Sequence, residues 1–301
     1  MSRFSGQRRA GLSRVDVVVA LALVAVGASL LLPAVYAVQQ RNAAKQMVNN
    51  LKQVTLSIHS FEGAYKKLPP AYETVGPGKF AVHASLHIHV LPYIEQTPLH
   101  MRYVQATMNG MKVAPVVVPP FLSSMDPSLK NAMTEGIQNC AANLRVFADA
   151  GVKTAYDKDM PALRNSEPGT ESIARTFLDG TSNTIVFATK YAYCGEGGSR
   201  YESRPNTRTA AFFGRNAAKK KAHVRDKEAA FQLMPNEKDC LCTPLMAQSF
   251  LREAIFVATG DGVVRSIKSN ISPESWNRAM QPNDGKKLGK DWRASIDPPV
   301  R

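Results

Sequence analysis

The chain is poor in the residues that chemistry most often draws on. Its 301 residues include six histidines, four cysteines and two tryptophans. No Gly-x-Ser-x-Gly elbow, phosphate-binding glycine loop or His-Glu-x-x-His helix occurs, which removes the common nucleophilic, nucleotide-binding and zinc-protease patterns. His83, His87 and His89 form the one histidine cluster. On a strand, positions 87 and 89 would share a face, as a zinc pair does. Surface or half-buried strand histidines are the expectation, and no metal or other cofactor is assigned. Gly195, Gly197 and Gly198 could cradle an anion, but a lone glycine cluster is weak support. Nothing in these residues points to an enzyme.

Acidic residues are scarce as well, 24 against 38 lysines and arginines, for a formal charge of +14. Such a surplus suits anionic cell-surface polymers, lipid headgroups or nucleic acid. The densest cluster, Arg215, Lys219, Lys220 and Lys221, has no aromatic residue among its charges. A nucleic-acid groove would want stacking platforms there, so a solvated loop is expected and nucleic acid is not. The hydrophobic fraction of 44% and charged fraction of 21% are ordinary, which excludes a disordered chain.

Charge is absent altogether from Val17 to Val38. That run is longer than the roughly 20 residues a bilayer crossing takes. Arg3, Arg8 and Arg9 precede it, so the positive-inside bias keeps the N-terminus in the cytoplasm and sends the remainder across. The expectation is a single-pass protein of the inner membrane, with its globular part periplasmic or at the cell surface. A short basic leader, then Gly11, Leu12 and Asp16, resembles a type IV prepilin-like signal. The resemblance implies cutting between Gly11 and Leu12 by a prepilin peptidase and methylation of Leu12. It also makes Asp16 the helix-top acid that pairs with a neighbouring subunit's new amino terminus. A buried carboxylate needs such a partner, and an acid suits a helix's first turn. The family usually has Phe at Leu12, Glu at Asp16 and an apolar residue at Arg14. The competing readings are an uncleaved anchor and an ordinary secretory signal cut after Val35-Tyr36-Ala37, for which the apolar region is long.

Beyond it, Ala44, Met47, Leu51, Val54, Ile58 and Phe61 recur at spacings of three and four, giving one apolar stripe. The pattern predicts a helix over 12–62, bent at Pro33 and stopped by Gly63. Three regions follow: a leader over 1–11, a helix over 12–62 that spans the membrane to about 38 and is then amphipathic, and an extracytoplasmic globular domain over 63–301. Ala84–Val90, Thr184–Thr189 and Ala210–Phe213 read as strands. Ile255–Thr259 and Val263–Ile267 read as a hairpin closed by Gly260-Asp261-Gly262. Asp179-Gly180 is a second turn of this kind, and both aspartates are read as structural turn residues. Ser272-Pro273-Glu274 reads as the cap and first turn of a short helix. The fold class expected is α+β, a long N-terminal transmembrane helix in the pilin-like lollipop layout, packed on an antiparallel sheet. Between Met101 and Glu171 no period holds for long.

Further blocks carry a closer resemblance. Asn49-Asn50-Leu51-Lys52-Gln53 with Ile58-His59, Leu68-Pro69-Pro70, Leu91-Pro92-Tyr93-Ile94-Glu95-Gln96, Asp179-Gly180-Thr181-Ser182-Asn183-Thr184 and Thr259-Gly260-Asp261-Gly262-Val263-Val264-Arg265 occur in order. Together they resemble the prepilin-like bacterial family filed as domain of unknown function number 1559. The family's His-Pro-Gly-Gly is replaced here by Leu251, Arg252, Glu253 and Ala254, so no role tied to it carries over. The resemblance implies a non-catalytic, pseudopilin-like subunit that assembles with copies or with a secretion-type apparatus. A tethered module that holds an anionic surface ligand is the alternative. Outside the cytoplasm, Cys140, Cys194, Cys240 and Cys242 are expected to form one or two disulfides. Cys240 and Cys242 are too close to bridge comfortably, so a link from one of them to Cys194 or Cys140 is preferred, and the pairing stays open.

Overall fold

The computed structural model describes residues 14–129, 136–147, 171–195, 197–204, 207, 209–214, 230–235, 245–292 and 294–295. It divides into two compact units, Met1–Asn42 and Ala43–Arg301. One helix, α1 (Arg14–Tyr65), has residues in both.

In the first unit the described side chains of α1 are exposed on every side. Three consecutive residues, Val17, Val18 and Val19, are 46%, 64% and 51% exposed although they point in different directions. The expectation of a bilayer-crossing segment to about Val38, and with it the single-pass inner-membrane location, is corrected. Among the described residues no helix is long and apolar enough to cross a membrane.

In the second unit the expected stripe holds. Met47, Leu51, Val54 and Phe61 are fully buried, and Ala44 and Ile58 nearly so. Each large side chain contributes about 1.5–3 kcal/mol of transfer free energy. The helix passes through Gly63 and ends at Tyr65, where Lys66 turns the chain with a φ of 58°. A small antiparallel pair follows, β1 (Tyr72–Val75) and β2 (Val82–Ser85), joined through a 3₁₀ turn at Gly78–Phe80.

The strand expected over Ala84–Val90 stops at Ser85. Leu86–His89 instead form one helical turn, α2, and Leu91–Ile94 a 3₁₀ turn. All four α2 residues are buried, so their alternation of apolar residue and histidine does not mark two faces of a strand. Next comes α3 (Thr97–Met108), a twelve-residue helix with Pro98 in its first turn, where the missing amide costs nothing.

The remaining elements are β3 (Cys140–Asn143), α4 (Leu144–Phe147), α5 (Ile173–Thr176), β4 (Ile185–Thr189), β5 (Tyr193–Cys194), β6 (Gly197–Gly198), β7 (Phe212–Phe213), β8 (Gln232–Leu233), β9 (Gln248–Ser249), β10 (Ala254–Thr259), β11 (Val264–Lys268), α6 (Pro273–Met280) and β12 (Ala294–Ser295). Six strands form the main sheet in the order β12-β11-β10-β4-β3-β7. All neighbours are antiparallel except β3 and β7. The sheet is apolar on both faces. Phe256 and Ala258 of β10 join the α1 stripe in one core, while Ile255 and Val257 join Trp276 and Met280 of α6 in the other. Ser272 caps α6 as expected, its hydroxyl accepting from the Ser275 amide. The α+β class holds: a three-layer domain whose central sheet is covered by the second half of α1 on one side and α6 on the other.

Candidate functional site

Gly11 and Leu12 lie outside the described residues, as do Cys240, Cys242 and the Arg215–Lys221 cluster. Asp16 sits in the first turn of α1 and is exposed. Around and beyond it Val15, Leu21, Leu23, Val24, Leu32 and Tyr36 are each about two-thirds exposed.

The two Asp-Gly turns tie distant segments together. The Asp179 carboxylate accepts from the amides of Asp284 (2.7 Å) and Gly285 (2.9 Å), while its carbonyl accepts from Asn183 Nδ2. Asp261 Oδ1 accepts from Thr259 Oγ1 (2.6 Å) and from the Val263 amide, and Oδ2 lies 3.5 Å from Arg265. Gly180 and Gly262 supply positive φ angles of 97° and 83°, which a residue with a Cβ rarely adopts. The β10–β11 turn meets α1 directly: His59 Nε2 lies 2.8 Å from the Gly260 carbonyl, and a Cβ on Gly262 would stand 3.1 Å from Leu56. These carboxylates are occupied by backbone amides, hydroxyls and an arginine. Among the described residues no group of three or more His, Cys, Asp or Glu could hold a metal ion.

The histidines are separated rather than clustered. His87 is buried between Phe121 and Phe212, with Nε2 on the Cys140 carbonyl at 2.9 Å. His89 Nε2 lies 3.0 Å from the Glu73 carbonyl, and His83 Nδ1 2.9 Å from Thr74 Oγ1. Burial pulls His87 and His89 down to about 4, against partial support from those carbonyls, so both rings are neutral near pH 7. Cys140 is a free, buried thiol whose pKa burial raises, which makes it a poor nucleophile. Cys194 is disulfide-bonded, with Gln248 Nε2 3.2 Å from its sulfur. Gly197 and Gly198 are not an anion cradle. They pair with β5, and a Cβ on Gly198 would strike the Ala192 carbonyl.

Several structural residues carry no readable signal. Asp126, almost fully buried, accepts from Asn139 Nδ2 and the amides of Ala192 and Ser128. Lys190 is buried with Nζ donating to the carbonyls of Ala210 (2.6 Å) and Phe212. Arg145, also buried, donates to those of Gly214 and Asn277.

One cleft, of about 180 Å³, opens at the C-terminal end of α1. Phe61 and Tyr65 stack there at 4.5 Å, and Tyr93 meets Phe61 edge-on at 6.1 Å. His89, His100 and Phe80 also line it.

These features define a class, an α+β domain whose distant segments are held together by Asp-Gly ties. The chain belongs to the family described as a protein of unknown function, DUF1559, which matches residues 39–284. No curated protein and no solved structure matches it.

Proposed function

We propose that the chain is a non-catalytic assembly subunit of a secretion or surface-assembly system, processed after Gly11, whose copies associate through the exposed first half of α1. The observation that carries this reading is the all-round exposure of Val17, Val18, Val19, Leu21, Leu23 and Val24. A helix apolar on every side finds its stable place inside a larger body, and exposed apolar surface of this extent marks an interaction site. Helices of other copies supply that body. Asp16 then faces the new amino terminus of a neighbour at Leu12, an ion pair in a site drier than water and therefore stronger. In this reading the basic second unit is the part each copy displays.

Intact-mass and N-terminal analysis of the protein isolated from the cells that make it tests the processing step. A chain beginning at a methylated Leu12 is expected. A chain beginning at Met1 or at Val38 would overturn it.

A further inference from the structure

We propose that the cleft at the end of α1 is a saccharide site that takes one neutral pyranose ring of a glycan. The proposal does not depend on how the chain assembles. The cleft, about 180 Å³, is larger than the roughly 150 Å³ cavity that takes a benzene ring, and its open mouth lets a bulkier ring lay one flat face on its walls. Its walls come from separate segments, with Phe61 and Tyr65 from α1, Phe80 from the β1–β2 turn, Tyr93 from the 3₁₀ turn after α2, and His100 from α3.

The chemistry of the walls is two-sided. Ring faces carry negative charge density, which suits the polarised C–H groups of a sugar's flat face. Beside them, Tyr65, Tyr93 and His100 bring hydroxyl and imidazole groups to the lining. They are placed to serve sugar hydroxyls. A purely apolar guest would cover these polar groups and return nothing for their lost hydration. A cationic guest is disfavoured because no carboxylate lines the cleft, while Lys79 Nζ already lies 5.4 Å over Phe80 at its mouth. An anion would find only the Lys79 ammonium, which lies outside the lining and over the Phe80 ring. The mouth is open, with Tyr65 39%, Phe80 48% and Met101 42% exposed. Large apolar groups left in water at the rim of a cavity are what a ring-binding site presents before its ligand arrives.

Saturation-transfer NMR and calorimetry on the full chain decide the matter. The probes are tetramers of glucose and of N-acetylglucosamine, with p-cresol and tetramethylammonium as competitors of other chemistry. Binding of at least one tetramer is expected. It should weaken by about tenfold or more in Tyr65→Ala and in Phe80→Ala, both at exposed positions where the fold survives. Tyr65→Phe, which keeps the stacking face and loses the hydroxyl, should fall between. The proposal is overturned if neither tetramer binds, if binding persists undiminished in both alanine variants, or if p-cresol or tetramethylammonium binds where the sugars do not.

Discussion

His87 and His89 stand two positions apart in a single helical turn, and each is held neutral by burial in a core. Their pKa values fall from 6.5 to about 4 in the folded chain. Between those values the unfolded chain binds protons that the folded chain refuses, so stability is complete above pH 6.5 and drains away as the pH falls toward 4. At about 1.4 kcal/mol per pH unit, each histidine withdraws on the order of 3 kcal/mol across that window. Urea unfolding at pH 7 and pH 5 should therefore show a marked drop in midpoint. His87→Gln, which can still donate to the Cys140 carbonyl, should remove about half of the drop; an unchanged drop would contradict the assignment. At this scale the sequence was only partly legible. Asp179 and Asp261 announce their turns because the following glycine does. Asp126, Lys190 and Arg145 announce nothing, since their partners are carbonyls and amides brought near by the fold.

At the scale of elements, the period of α1 could be read directly, because one face of its second half meets a single sheet and the other meets solvent. Leu51 lies at the centre of that stripe and is fully buried. Leu51→Ala should cost about 2–5 kcal/mol by the measure of other core truncations. Leu56→Ala, one and a half turns on and 46% exposed, should cost under about 1 kcal/mol. Chemical denaturation of both variants checks the contrast, and equal losses would mean that the stripe does not face the sheet. The β10–β11 hairpin was legible for a similar reason: its turn chemistry is local. Elements whose surroundings come from every side were not. Leu86–His89 imitate a strand in their alternation, yet all four are buried, and α3 buries only Leu99, Val104 and Ala106. The cleft was illegible too. Its rings are gathered from segments between residues 61 and 104, and each alone reads as core or surface.

For the whole molecule, the family blocks have a common mechanical meaning. Asn50 donates to the Leu122 carbonyl, His59 reaches the Gly260 carbonyl, and Asp179 receives the amides at Asp284 and Gly285. Three of the blocks thus fasten segments far apart in the chain. In the proposed reading, function falls to two surfaces, the exposed described residues in the first half of α1 and the cleft. A helix apolar on all sides is the more demanding of the two, because leaving it in water costs free energy in proportion to its area. Sedimentation velocity of the full chain, compared with a Leu21→Lys/Val24→Lys variant, puts the assembly claim to its most direct test. The account predicts multimers for the natural chain and a monomer with an unchanged circular dichroism spectrum for the variant. A natural chain that sediments as a monomer at micromolar concentration would contradict it.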